Sequence, residues 1–296
     1  MKKHSLKEWV LATRPWSFPA SSMPVLVTLA WLWACGFPVN GWLGLWALVN
    51  IIFVHAAGNV WSDIADYRSG VDAKDTFGVR LLVDGEFTVS EFRHLSIILN
   101  IIAVAGGLTL VALTGWQLLV IGVIGILLSL CYPSLKYVAL GDVVIIFCYS
   151  ILPMTGTSFI ASGVIHWDVL WLAVPVGLIT VAILHANNVR DIETDHRAGI
   201  HTFPLLTGRR FGAWLYAFEV IFPFLWLLGL MAFGVEPWWL LTAFVALPVA
   251  IGNARTILAY EQGGQASYAD LDEKTAKLQL LFSVLLILGL VISRIV

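Results

Sequence analysis

The chain has 296 residues, of which 59% are hydrophobic and only 12% charged, with a mean hydropathy of +0.87 and a formal net charge of -2. A water-soluble domain carries roughly a quarter of its residues as Asp, Glu, Lys and Arg. Half that share excludes a soluble enzyme and a disordered chain, and the lack of basic excess excludes a nucleic-acid-binding protein. The composition is that of a multispanning membrane protein. Cys35, Cys131 and Cys148 lie in or beside apolar runs at no metal-ligand spacing, and read as small buried hydrophobes.

A spanning helix needs about 20 mostly apolar residues. Nine segments qualify: 16–36, 41–61, 94–114, 116–133, 138–161, 167–188, 212–234, 237–253 and 277–296. The expected fold is an all-α bundle of nine transmembrane helices, one domain over residues 1–296, with an active-site cap facing the cytoplasm. The first segment starts with Arg14 and Pro15 and lacks a small-residue cleavage site, so it reads as a span and not a signal peptide. A turn at Thr114-Gly115 separates the third and fourth spans, and Pro153 and Pro175 are expected to kink theirs.

Nine spans place the N-terminus and the loops after even-numbered spans on one side. That side collects 16 of the 17 Lys and Arg residues, with Arg294 alone opposite. The positive-inside rule makes it cytoplasmic, which predicts a multi-pass protein of the cell (inner) membrane lying in the lipid bilayer.

Most acidic residues follow the same asymmetry. The second span ends with His55, Asn59, Asp63 and Asp66 at spacings of four, four and three, along one helix face. The sixth ends with His185, Asn187, Asn188, Arg190, Asp191 and Asp195, where Asn and Asp again form a stripe. The two segments, 59–72 and 187–199, form a weak internal repeat four spans apart, so both stripes end at the same membrane face. Carboxylates crowded near hydrocarbon repel one another and lose solvation, so a cation should compensate them. Oxygen ligands without thiolates or a histidine pair suit Mg²⁺, which takes one or two protein carboxylates and completes its shell with substrate phosphate. The pattern therefore predicts a metal-bridged diphosphate held between spans two and six. Arg80, Lys136 and Arg190 are the candidate fixed cations, with Arg68 and Lys74 nearby.

A metal-clamped diphosphate is a leaving group, and a polyprenyl diphosphate is the donor that suits an apolar surround. Ionisation at its allylic carbon gives a carbocation, which aromatic rings can stabilise; 14 Trp, 16 Phe and 7 Tyr supply candidates.

At these residues the chain resembles the UbiA superfamily of intramembrane prenyltransferases, and within it the 1,4-dihydroxy-2-naphthoate polyprenyltransferases of menaquinone biosynthesis. Four stretches carry the likeness: Trp9 to Pro15 continuing to Val25; Ser62-Asp63-Ile-Ala-Asp66 through Gly70 and Asp72; Tyr132-Pro-Ser-Leu-Lys136 through Gly141-Asp142, then Thr155-Gly156-Thr157; and Asn187 through Asp191, Asp195 and Gly199 to Thr202. The resemblance implies a nine-helix bundle open laterally to lipid, with Mg²⁺ and diphosphate held by both Asp-rich motifs and contacted by Lys136 and Arg80. It implies an aromatic acceptor, a dihydroxynaphthoate prenylated at its carboxyl-bearing carbon with loss of CO₂. Two departures stand out: Ser62 occupies a position usually held by Asn, and Phe77 to Gly85 is a loose version of the family's Arg-containing stretch.

The expected machinery is therefore Asp63, Asp66, Asp191 and Asp195 as catalytic residues. These four and Asn59 are the metal ligands, and Asn59, Arg80, Lys136, Asn187, Asn188 and Arg190 face the substrate. His55 and His185 are candidate general bases. A transporter with intramembrane carboxylates is the rival, with Glu219 the acid that would suit it, although such sites commonly sit mid-membrane between inverted repeats. A second alternative keeps the chemistry and changes the acceptor to 4-hydroxybenzoate, homogentisate, a chlorin, haem or a glycerol-phosphate lipid.

Overall fold

A computed structural model describes residues 4–73, 76 and 80–296, without the side chains of 262 and 263. Lys74 and all of 77–79, which precede Arg80, lie outside the described residues. Among the described residues nine helices are long and apolar enough to cross a membrane. They are α1 (Pro15–Ala34), α2 (Gly41–Ser69), α3 (Val89–Thr114), α4 (Gln117–Lys136), α5 (Gly141–Ser162), α6 (Trp167–Arg190), α7 (Arg209–Ala232), α8 (Trp238–Leu258) and α9 (Gln265–Ile295).

Local chemistry explains where these spans depart from the expected bounds. Thr88 and Glu91 form a reciprocal capping box, which starts α3 at Val89 instead of residue 94. Asn40 caps α2, and Gly70 ends it with a left-handed φ of 71°, a conformation that favours glycine. The third-to-fourth turn falls at Gly115 as expected. Pro153 has no amide hydrogen for the helical ladder, and a π-helical turn over Phe147–Ile151 precedes it inside α5. In α8, Pro248 cannot donate to the carbonyl four residues earlier. The span runs as a 3₁₀ helix over Trp238–Ala246 before turning α-helical at Leu247. Pro175 lies within an α6 whose helix runs on both sides of it.

The main core lies where α1, α6, α7, α8 and α9 meet, with Leu32, Val176, Ile179, Leu227, Leu240 and Phe282 buried together. A second cluster joins the C-terminal half of α2 to the start of α3 through Val60, Ile64, Phe92 and Leu99. By contrast only 17% of α3 and 11% of α4 is buried, so these two helices form an outer apolar wall. Cys35 and Cys131 are exposed, not buried as expected; Cys131 sits on that wall, where an apolar side chain meets lipid as readily as core.

Candidate active site

Between the wall and the core lies a cavity of about 910 Å³. One end is apolar, bounded by Ile51 and Val54 of α2, Val111 of α3 and Ile121 of α4. The other end is polar and is made by the ends of α2, α4 and α6. Asn59, Asp66, Lys136, Asn187, Asn188, Arg190 and Asp191 line it, joined by Asp72 and Asp195 from the segments that follow α2 and α6. The two stripes read from the sequence thus open onto one space.

Not every expected residue reaches that space. Asp63 is buried one layer back and forms an ion pair with Arg14, which lines the cavity in its stead. Arg80 sits in the loop before α3, where it donates to the Thr76 carbonyl at 3.0 Å and lies 3.8 Å from Asp84. Thr76, rather than Arg80, is at the cavity surface. Arg68 is exposed.

The carboxylates are held by specific donors. Asp66 accepts from the Tyr137 hydroxyl on Oδ1 at 2.7 Å and from the Lys136 ammonium on Oδ2 at 3.3 Å. Burial and the nearby Asp66 push the Tyr137 hydroxyl up, which keeps it protonated as a donor. Asp191 is gripped through both oxygens by Arg190, each bond 2.8 Å. The same guanidinium reaches the Ala269 carbonyl at 2.9 Å and Asp272 at 3.3 Å, so it ties the second motif to the start of α9. Asp195 accepts from Thr202 at 3.0 Å. Asn59 donates its amide hydrogens to the Thr13 carbonyl and the Ser17 hydroxyl, at 2.9 and 3.0 Å.

The site is short of positive charge. Burial pushes the Asp195 carboxyl up to about 6; Lys136 and the Thr202 hydroxyl oppose the rise, while Asp191 and Asp66 add to it. Burial and then Asp66 push Asp72 up in the same way. Asn187 Oδ1 is buried without a protein partner. Carboxylates held above their usual range, an orphaned carbonyl oxygen and an all-oxygen donor set fit a hard divalent cation bound with an anionic ligand.

The histidines differ. His55 lines the cavity between Ser21 and Ser17, 2.9 and 3.3 Å away, with its ring edge-on to Tyr149 at 4.7 Å. His185 is fully buried behind the cavity wall, 3.3 Å from Glu219 and 3.8 Å from Asp142. Among the described residues those three form a compact His-carboxylate group, and none of them lines the cavity. Glu219 is therefore a partner in a helix-to-helix contact.

Sequence reasoning did not single out Arg14, Tyr137 or Thr202 as site residues. Arg14 carried a signal: a lone basic residue where a span begins, before a proline. It adopts a left-handed φ of 55°, which turns the chain there. Tyr137 and Thr202 lie in the stretches that carry the family resemblance, but no spacing tied them to Asp66 and Asp195, 71 and 7 residues away.

The UbiA prenyltransferase family model matches residues 21–292. UbiA prenyltransferase domain-containing protein 1 of Xenopus tropicalis is 31% identical over 297 residues, covering 98% of this chain and 84% of that protein. Its Drosophila melanogaster homologue is 33% identical, covering 83% and 70%. Among solved structures, a UbiA homologue from Archaeoglobus fulgidus bound to GPP and Mg²⁺ superposes with a TM-score of 0.61 at 14% identity, covering 98% of this chain and all (100%) of that one. The chain, with nine helices among the described residues long and apolar enough to cross a membrane, belongs to the UbiA prenyltransferase family and is a prenyltransferase.

Proposed function

We propose that the protein transfers a polyprenyl group from its diphosphate to 1,4-dihydroxy-2-naphthoate, with loss of CO₂, as a step in making menaquinone. The observation that carries the reading is one cavity whose polar end holds both Asp-rich helix ends and Lys136 and whose other end is mostly apolar, bounded by α2, α3 and α4. The diphosphate belongs at the first end and the hydrocarbon tail in the second.

Asp66, Asp191 and Asp195, with Asn59 and Asn187, would hold Mg²⁺. Asp63 acts through Arg14. Mg²⁺ supplies Lewis-acid stabilisation of the charge that develops on the departing diphosphate. Lys136 supports the same charge electrostatically, Asn188 borders the bound substrate, and Arg190 holds Asp191 in place. The allylic C–O bond breaks with its electron pair leaving on diphosphate. The carboxyl-bearing ring carbon then attacks the allylic cation. Loss of CO₂ returns the C–C electron pair to the ring, so no ring proton needs a base when the carboxylate is ionised. His55 is then better placed to orient the acceptor, through its paired serines and Tyr149, than to remove a proton.

The choice of acceptor rests on the sequence motifs, and the cytoplasmic placement of the polar end in the cell membrane rests on the Lys and Arg partition. Purified protein with Mg²⁺, farnesyl or geranylgeranyl diphosphate and a panel of aromatic and lipid acceptors tests all of this. Prenylated, decarboxylated naphthoate product, abolished by EDTA, is expected. Product only from 4-hydroxybenzoate, homogentisate or a glycerol-phosphate lipid would overturn the acceptor while leaving the transfer chemistry in place.

A further inference from the structure

We propose that Lys136 and the divalent cation are alternative occupants of the gap between the two Asp-rich motifs, so that loading the site moves the Lys136 ammonium from carboxylate to diphosphate. This rests on the reading of the cavity as a metal–diphosphate site.

Three observations carry it. First, the Lys136 ammonium stands 3.3 Å from Asp66 Oδ2, in the first motif. It is also close enough to Asp195, in the second, to stabilise that carboxylate's charged form. It thus sits where one positive charge serves both motifs.

Second, each of the two carboxylates has an oxygen held by a neutral donor. Tyr137 holds Asp66 Oδ1 and Thr202 holds Asp195 Oδ2. The two donors come from stretches that are tied together: the His201 amide donates to the Tyr137 carbonyl at 2.9 Å, within a bridge pairing Val138 with His201. The spacing of the two carboxylates is therefore set by neutral groups and does not depend on Lys136.

Third, the cations at this end differ in freedom. Arg190 is bound to Asp191, the Ala269 carbonyl and Asp272 at once. The bond to Asp66 is the one hydrogen bond of the Lys136 ammonium among the described residues. A compact ammonium on a four-carbon stem can swing to an incoming anion where a locked guanidinium cannot. Two positive charges at one carboxylate oxygen repel strongly in a site of low dielectric, so cation and ammonium exclude each other at Asp66 Oδ2. Diphosphate resolves the conflict by giving the ammonium a new partner. Metal alone should bind weakly, and metal with diphosphate tightly.

The test is direct binding to the full-length protein in lipid nanodiscs, with Mn²⁺ as the probe ion followed by electron paramagnetic resonance and inorganic diphosphate followed by calorimetry. Lys136→Gln should bind Mn²⁺ alone roughly 10-fold more tightly than wild type, and inorganic diphosphate in the presence of Mn²⁺ roughly 10-fold or more weakly. Lys136→Arg keeps the charge and should keep wild-type affinity for Mn²⁺ alone; it also serves if the Gln variant does not fold, because a tighter Mn²⁺ affinity in Lys136→Arg overturns the proposal. Unchanged or weaker Mn²⁺ binding by Lys136→Gln overturns it as well. If Mn²⁺ binds wild type and Asp66→Asn equally, the metal reading of the cavity itself fails, which separates the two outcomes.

Discussion

Asp66 and Asp195 show how differently one residue type can be held within one site. Asp66 meets an ammonium and a phenol, whereas Asp195 accepts, among the described residues, from a threonine hydroxyl and has its carboxyl pushed up to about 6 by burial. Replacing either with Asn keeps the shape and removes the charge. Each of Asp66→Asn and Asp195→Asn should lower turnover by at least about 100-fold, given the size of electrostatic contributions to leaving-group stabilisation. The thermal unfolding midpoint in detergent should stay near wild type for Asp195→Asn, whose raised carboxyl adds little stability, and should fall for Asp66→Asn, which leaves the buried Lys136 ammonium without its counter-charge. An early-unfolding Asp195→Asn would instead make that acid structural. Tyr137→Phe removes one charge-assisted hydrogen bond to Asp66 while preserving the ring. About a 10-fold fall in kcat/KM is expected, equivalent to ~1.4 kcal/mol, with the unfolding midpoint unchanged.

At the level of elements, two contacts far from the cavity decide how helices meet. Gly289 of α9 faces the 3₁₀ segment of α8 so closely that a Cβ there would lie 2.5 Å from the Trp239 carbonyl oxygen and 2.6 Å from the Thr242 hydroxyl. Gly289→Ala should cost about 1–3 kcal/mol through overpacking. Gly252→Ala, in the α-helical part of α8 with nothing within 4 Å of its Cβ, should be neutral or gain up to about 1 kcal/mol from helix propensity. Thermal melts of the pair separate close packing from a general intolerance of side chains at glycine. In the turn between α7 and α8, Glu236 accepts from the Trp31 indole at 2.9 Å. Burial pushes this carboxyl up to about 7, with the indole bond opposing and Asp168 adding to the rise. The folded protein therefore holds a proton that the unfolded chain releases near pH 4.3. Stability falls as pH rises from about 4.3 to 7 and is level in this respect above that. Glu236→Gln should flatten that slope, and the difference between the two proteins' unfolding midpoints from pH 4.5 to 8 measures it.

On the scale of the whole molecule, the division of labour is between a close-packed half and an apolar wall. The core of α1 and α6 to α9 is close-packed, while α3 rests on α2 and α3 and α4 together bound the cavity. A tail of hydrocarbon in that cavity has a lipid-facing boundary on one side and fixed helix ends on the other. Chelation by EDTA is expected to abolish transfer without unfolding the bundle, since none of the core clusters depends on the Asp-rich end; a large drop in unfolding midpoint on chelation would contradict this.

The helices long enough to span, nine among the described residues, and the meeting of two Asn/Asp stripes at one cavity were legible because each is a one-dimensional pattern. Hydrocarbon thickness sets helix length, 3.6-residue periodicity sets helix face, and an even number of crossings returns a motif to the same membrane face. That Asn59, Asp66, Asp191 and Asp195 would share one end of the bundle could be read from spacing alone. What tertiary structure decided was the partner of each charge: that Asp63 would turn to Arg14 and leave the cavity surface, that Arg190 would lock to α9, and that His185 would face Glu219. Those pairings join residues from 34 to 82 positions apart. They follow from which helices pack together, a property of side-chain volume and shape that no local pattern encodes.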